Sequence, residues 1–426
     1  MFQNTYYKKL KGMMAAITLV VFFNQTTLVY AQLADPVNVS GGGTVRHNPD
    51  GSLYIDAGLN SVWSWTGTNV PTYVNQPNST SWASFVDTSG HPTNIGANMS
   101  SNAFLAFINQ MGINIAAGVH IMAAGLFAST LNVPQEMLRN GFPKNNVYSL
   151  TKDPSAPNAL ILNKGTIEVS NGGQVTLIAG AVRNEGDIIA QLGKVTIASG
   201  ETVALTVDNA GLMSVAINEA LKTPVAGVAS AISNIGRIIA DGGIVTLSAS
   251  TLNGIFQNAI NNEGLIQADA LENKNGEIYL TANDRVNVAG NISAVGGKVR
   301  VDSQGANYSG TIKAADSVFN AHDGDTFIHG TFSGNQSWFD NINIFVDGNL
   351  TVTGGNILID ADHDNNGTGN FTQNAGTVIH GNKDVTINGD NVYIENVIFG
   401  GNMNSLAKTG EIIAKSIIFD PITSLK

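Results

Sequence analysis

No cysteine occurs among the 426 residues, so no disulfide staples the chain and its stability rests on packing and hydrogen bonding. The same absence leaves no covalent loop to hinder passage of the unfolded chain through a pore. Charge is also scarce. Asp, Glu, Lys and Arg make up 12% of the chain, roughly half the usual share, and from Ala57 to Gln135 Asp87 stands alone. The balance is acidic, with a net charge of −11, which weighs against a nucleic-acid partner and against docking on anionic membranes. Long unbroken apolar runs are missing from the body of the chain. The uncharged stretch FINQMGINIAAGVHIMAAGLFAST (residues 107–130) is interrupted by Asn109, Gly112, Asn114, Gly118 and Gly125, residues a lipid-facing helix uses sparingly. It resolves instead into short apolar strands with Asn and Gly corners.

Those corner residues are abundant. The chain has 50 Asn and 47 Gly, both tolerant of positive φ and therefore suited to tight turns. Near the N-terminus, Lys8, Lys9 and Lys11 precede the apolar segment Met13–Phe23, and Val29 and Ala31 supply small residues for cleavage after Ala31. Residues 1–31 are thus expected to be a signal peptide, with too short an apolar core to serve as an anchor.

Internal repetition sets the organisation. Gly173-Gln-Val-Thr-Leu-Ile-Ala returns as Gly193-Lys-Val-Thr-Ile-Ala-Ser, then as phrases starting at Gly243, Gly276 and Gly297. Interleaved with it are Asn163-Lys-Gly, Asn184-Glu-Gly, Asn234-Ile-Gly and Asn262-Glu-Gly. A unit of about twenty residues made of short strands cannot bury its own apolar face. Stacking such units as coils gives one continuous core, so an all-β, right-handed parallel β-helix is expected. It should have about 14–17 coils, ~65–80 Å long at ~4.8 Å per coil. The interval from Gly193 to Gly243 holds a surplus, where Leu212, Val215, Ala216 and Leu221 follow helical spacing before Pro224. A short helical excursion near 211–224 is predicted there. A smaller insertion is expected around Ile255–Ile260. The coil should continue through residues 306–426.

With the repeat established, residues from about 40 to 305 resemble the N-terminal secretion domain of filamentous-haemagglutinin-like exoproteins, the cargo of two-partner secretion. The phrases that carry the resemblance are Trp63-Ser-Trp65, Asn75-Gln76-Pro77 with Ser81-Trp82-Ala83, Asn94-Ile-Gly-Ala-Asn-Met, and Gly125-Leu-Phe-Ala-Ser-Thr-Leu-Asn132. Asn109-Gln110-Met111-Gly112-Ile113 departs from the family's Asn-Pro-Asn-Gly-Ile. The resemblance implies a signal peptide (1–31), a secretion domain (32–305) and continuing repeats (306–426). It implies export from a Gram-negative bacterium through a dedicated outer-membrane β-barrel transporter, ending secreted or on the cell surface. It also implies an adhesin with a host or neighbouring-cell surface as a further partner. Trp63, Gln76, Pro77, Asn109, Gly112, Ile113, Gly125, Ser129 and Thr130 are the residues it nominates for recognition by the transporter.

The rival class is a β-helical carbohydrate-active enzyme, which needs clustered carboxylates on one coil face. The charges here are dispersed, so no catalytic residue and no cofactor are expected. His91 and His120 stand alone in apolar surroundings and are expected to be buried. Asp360, Asp362 and Asp364 space like calcium ligands, but Gly367 comes two places late and Phe371 replaces the bidentate Glu. A polar corner is the expectation there. Trp338, Phe339, Phe345 and Phe319 are expected to stack in the core. A third class, a carrier for a terminal toxin, would need a compact end domain, whereas Ser405–Lys426 has the pattern of a strand pair.

Overall fold

Repeated glycines place one coil's backbone directly on the next. A Cβ on Gly186 would lie 2.0 Å from the carbonyl oxygen of Gly165, and one on Gly236 would lie 2.0 Å from that of Gly186. Only glycine fits such a column. Beside it runs a column of asparagines. Asn163 donates to Asn184 Oδ1 (2.8 Å), Asn184 to Asn234 Oδ1 (2.9 Å) and Asn234 to Asn262 Oδ1 (2.7 Å), all four side chains being buried. The spare capacity of each amide holds the corner: Asn163 Oδ1 accepts from the Gly165 N–H, and Asn184 Nδ2 donates to the Arg237 carbonyl. In the next coils the same position becomes Val288 and Tyr308.

The computed structural model describes residues 35–271 and 273–420, and these build a parallel β-helix whose coils have three strands each. The expected all-β solenoid is present. The signal peptide (1–31) lies outside the described residues. Ladder A starts at Leu53–Ala57 and continues through Thr72–Asn75, Met99–Ser101 and His120–Ala123. Ladder B starts at Ser61–Ser64 and continues through Trp82–Val86, Phe104–Ile108 and Gly125–Ser129. Ladder C starts at Gly67–Thr68 and continues through Thr93–Ile95, Ile113–Ile115 and Leu160–Asn163. Followed through its pairings among the described residues, ladder A has fifteen rungs, within the expected range. Strand side chains alternate, so Val175, Leu177 and Ala179 point into a core that runs from Leu53 to Phe399. At the N-terminal end, Val37–Ser40 and Gly43–His47 pair antiparallel on Ser61–Ser64 and Leu53–Ala57. They close ladders B and A against further parallel addition.

The predicted helix near 211–224 is absent. Met213–Glu219 is a strand, paired antiparallel with Thr202–Val207, which pairs in turn with Asn146–Thr151. The period-two set Met213, Val215, Ile217 faces inward and outcompetes the helical spacing, because the Thr202–Val207 edge offers a partner. The only α-helix among the described residues is Gln135–Arg139, which starts after Pro134. This three-stranded sheet and the helix cover the outer face of ladder B. Trp82, Ala106, Ile108, Phe127, Ile178 and Ala198 meet Met137, Leu138, Phe142, Leu150, Leu205 and Met213 in a second core. Strands Phe104–Ile108 and Gly125–Ser129 are therefore apolar on both faces, which accounts for the uncharged stretch 107–130. The insertion expected around Ile255–Ile260 is divided between a loop, with Phe256 in the main core, and the ladder C strand Asn258–Asn262.

Candidate functional site

The residues nominated for transporter recognition lie in the first coils. Asn109 follows the ladder B strand Phe104–Ile108 and turns the chain toward Ile113–Ile115. It is 1% exposed. Its amide donates to the His91 carbonyl (2.8 Å) and to Thr93 Oγ1 (2.9 Å), while its Oδ1 accepts from the Met111 N–H (2.8 Å). Thr93 in turn donates to Asp87 Oδ2 at 2.6 Å, and Asp87 Oδ1 accepts from the Ser89 N–H. The lone carboxylate of this region is thereby buried and hydrogen-bonded. Gly112 closes the corner with φ +121°, and a Cβ there would approach the Leu160 carbonyl to 3.0 Å. Ile113 is core.

Gln76 ties two coils at another corner. Its amide donates to Ser101 Oγ (3.0 Å) and the Phe104 carbonyl (2.9 Å), and Asn102 makes reciprocal bonds with the Gln76 backbone. Trp63 is buried with its indole N–H on Ser61 Oγ. Gly125 lies under the Phe104 ring, which would sit 2.4 Å from any Cβ, and Phe104 stacks on Trp82. Ser129 Oγ accepts from the Leu131 N–H, and Thr130 Oγ1 accepts from the Gly180 N–H. Eight of the nine nominated residues are buried, and Pro77 alone is exposed. Asn109, Gly112 and Ile113 share one corner; Trp63, Gln76 and Pro77 belong to earlier coils. Asp87, Thr93 and Asn102 complete these corners. Their pattern gave no signal beyond the isolation of Asp87 in an uncharged region.

Beside the Asn109 corner lies a cavity of ≈ 340 Å³, lined by Val62, Val86, Ile108, Val133 and Leu138 with Arg139 at its side. The histidines depart from expectation. His91 is exposed and His120 meets Glu168 at 2.9 Å on the surface, since each sits on an outward position. Trp338 and Phe319 stack in the core as expected (5.3 Å), but Phe345 faces outward on Phe327 and Phe339 outward against His363. Near the aspartates of the calcium-like loop, the cation is a lysine: Lys408 Nζ lies 3.1 Å from Asp360 Oδ1 and 3.9 Å from Asp362 Oδ2. Asp364 points to solvent and binds Asn366. Among the described residues, no group of three or more His, Asp or Glu side chains could hold a metal ion. No helix among them is long and apolar enough to cross a membrane.

Among solved structures, the HMW1 secretion domain from Haemophilus influenzae superposes with a TM-score of 0.55, covering 91% of this chain and 100% of that one at 19% identity. The chain has the fold of a secretion domain. The filamentous haemagglutinin secretion domain is also similar, with a TM-score of 0.39, 14% identity and coverage of 67% and 96%. Among characterised proteins, the haem/haemopexin-binding protein of Haemophilus influenzae is 28% identical over 221 residues, which is 51% of this chain. The match spans 23% of that relative's length. No family model matches the chain. The secretion-domain fold agrees with the resemblance carried by the Trp63, Gln76 and Gly125 phrases.

Proposed function

We propose that residues 32–305 direct export of this chain through an outer-membrane β-barrel transporter of the two-partner type. The remaining coils extend the solenoid as an adhesive surface on, or released from, a Gram-negative cell, after removal of residues 1–31. One observation carries the reading. Eight of the nine residues nominated for recognition are used up inside the folded β-helix: Asn109 clamps the preceding coil, Gln76 the following one, and Gly125 has an aromatic ring on its face. A transporter that reads them must do so before the coils stack, and stacking outside the cell then makes export one-way. The three-stranded cover and the antiparallel N-terminal strands support the same view, since they shield the early coils once folded.

A β-helical carbohydrate-active enzyme finds less support. The solved structure whose fold this chain shares is a secretion domain, and some of its surface carboxylates are held in ion pairs, such as Asp187 with Arg237 and Asp316 with Arg300. The acidic surface disfavours nucleic acid. Haem or haemopexin binding belongs to a relative matched over under a quarter of its length and is not carried to this chain.

The test is extracellular yield in a Gram-negative host with and without a co-expressed outer-membrane transporter of the two-partner type. Export that depends on the transporter is expected. Equal yield without it would overturn the proposal.

A further inference from the structure

The contact between Lys408 and Asp360 joins two corners that are two coils apart. Asp360 ends the ladder B strand Ile357–Asp360, and Lys408 follows Met403–Ala407, with Val385–Gly389 between them. The lysine and Asp360 side chains are only 15% and 16% exposed, and Asp362 is 1% exposed. The amine is 3.1 Å from Asp360 Oδ1 but not in hydrogen-bond geometry with it, and Asp362 Oδ2 is buried without a hydrogen-bond partner. On the other side of the Asp360 carboxyl, His363 Nδ1 lies 3.6 Å from Oδ2. The amine also contacts the Asp362 carbonyl oxygen.

We propose that this constellation is a site of intramolecular amide formation between Lys408 Nζ and Asp360 Cγ. The step balances without a co-reactant: an ammonium and a carboxylate give one amide and one water. A proton moves from Lys408 Nζ to Asp362, whose buried carboxylate is placed to take it. The neutral amine attacks Asp360 Cγ, the new C–N bond forms, the nitrogen gives up its second proton, and one carboxyl oxygen departs as water carrying the two protons the nitrogen has lost, relayed by Asp362. Burial favours the reaction by removing solvent from two groups that are costly to keep charged in a dry site. Proximity supplies the rest, since both reactants are fixed by strands already stacked. The bond would tie residue 360 to residue 408 in a chain with no cysteine. It could form only after the coils close, so it would not impede passage of the unfolded chain.

The test is the intact mass of the purified folded protein, followed by a tryptic map. A mass 18 Da below that calculated for the same purified chain without the bond is expected, with Lys408 uncleaved and a branched peptide joining it to Asp360. Lys408→Arg and Asp360→Ala should restore the full mass, and Asp362→Asn should slow or abolish the loss while leaving both reactants. Full mass with ordinary cleavage after Lys408 in the unaltered protein would overturn the proposal, whatever the variants do. So would an 18 Da loss that persists in Lys408→Arg, which would mark a succinimide elsewhere.

Discussion

The side-chain amide of Asn109 reaches back one coil and donates to the backbone oxygen of His91, 2.8 Å away. The same amide holds Thr93 Oγ1, which holds Asp87. Such a clamp is part of the fold as well as a candidate export signal, and this changes what a substitution should do. From the sequence, Asn109→Ala is expected to spare folding. Its burial implies otherwise. Removing the amide leaves the Met111 N–H without its side-chain partner, takes a donor from Thr93 Oγ1, and leaves the His91 carbonyl only the 3.5 Å bond from Ser89 Oγ, a cost of about 2–3 kcal/mol. Urea unfolding should show a lower midpoint at unchanged slope, and an unshifted midpoint would mean that water replaces the clamp.

Gly112 should be more sensitive to shape than to polarity. Its φ of +121° is a conformation that L side chains rarely adopt, and the Leu160 carbonyl stands 3.0 Å from the site of a Cβ. Gly112→Val should cost about 1–3 kcal/mol from backbone strain alone. Thermal unfolding of the variant checks this, and a loss confined to a few tenths of a kcal/mol would contradict it.

In the asparagine column, position should decide the cost. Asn234 both accepts from Asn184 and donates to Asn262, whereas Asn262 is followed by Val288 at the same place in the next coil. Asn262→Val extends an apolar column and takes one acceptor from Asn234 Nδ2, which keeps the Leu265 carbonyl. Asn234→Val takes one acceptor from Asn184 Nδ2, which keeps the Gly186 and Arg237 carbonyls, and leaves the buried Asn262 Oδ1 without its donor. The second should exceed the first by about 1–2 kcal/mol. Equal urea midpoints for the two variants would show that the amides do not act as a connected column.

Asp340 sets a pH dependence. It is fully buried, and burial pushes its carboxyl up to about 6, with Asp325 adding in the same direction and the Ile342 N–H partly opposing. In the unfolded chain it ionises near 3.8. Below that pH the group is neutral in both states and costs nothing. As pH rises from about 4 through about 6 the folded state resists ionisation, and roughly 3 kcal/mol of stability is lost. Asp187 is held low by its bond to Arg237 and acts oppositely, losing stability only as pH falls below the ordinary carboxylate range. Urea midpoints at pH 5 and pH 7.5 should therefore differ, with greater stability at the lower pH. Asp340→Asn should flatten that difference. A rise in stability with pH across this window would contradict the assignment.

The repeat was legible because the contacts that build it demand the same residue each time. An Asn at one corner hydrogen-bonds the Asn of the next, and a Gly carbonyl excludes any Cβ above it, so Asn-x-Gly recurs as Asn163, Asn184, Asn234 and Asn262. The cover over ladder B was not legible. Its strand Asn146–Thr151 belongs to an earlier excursion than its partner Thr202–Val207, so it has no partner nearby in sequence. Met213–Glu219 is too short for its period to be told from a helix without knowing the edge it joins. For the site, the Gln76 and Gly125 phrases marked where to look, but the chemistry of the corners depends on Asp87, Thr93 and Asn102. Lys408 lies too far along the chain from Asp360 for spacing to connect them.

The central claim is that the export residues are read in the unfolded chain and hidden by folding. It is tested most directly by binding to the purified transporter in detergent, offering the folded chain and the same chain freshly diluted from urea. The account predicts capture of the unfolded chain, weakened by changes at Gln76, Asn109 and Gly125, and no capture of the folded β-helix. Equal binding of the folded protein would contradict it, because eight of the nine residues would then have to act from inside the core.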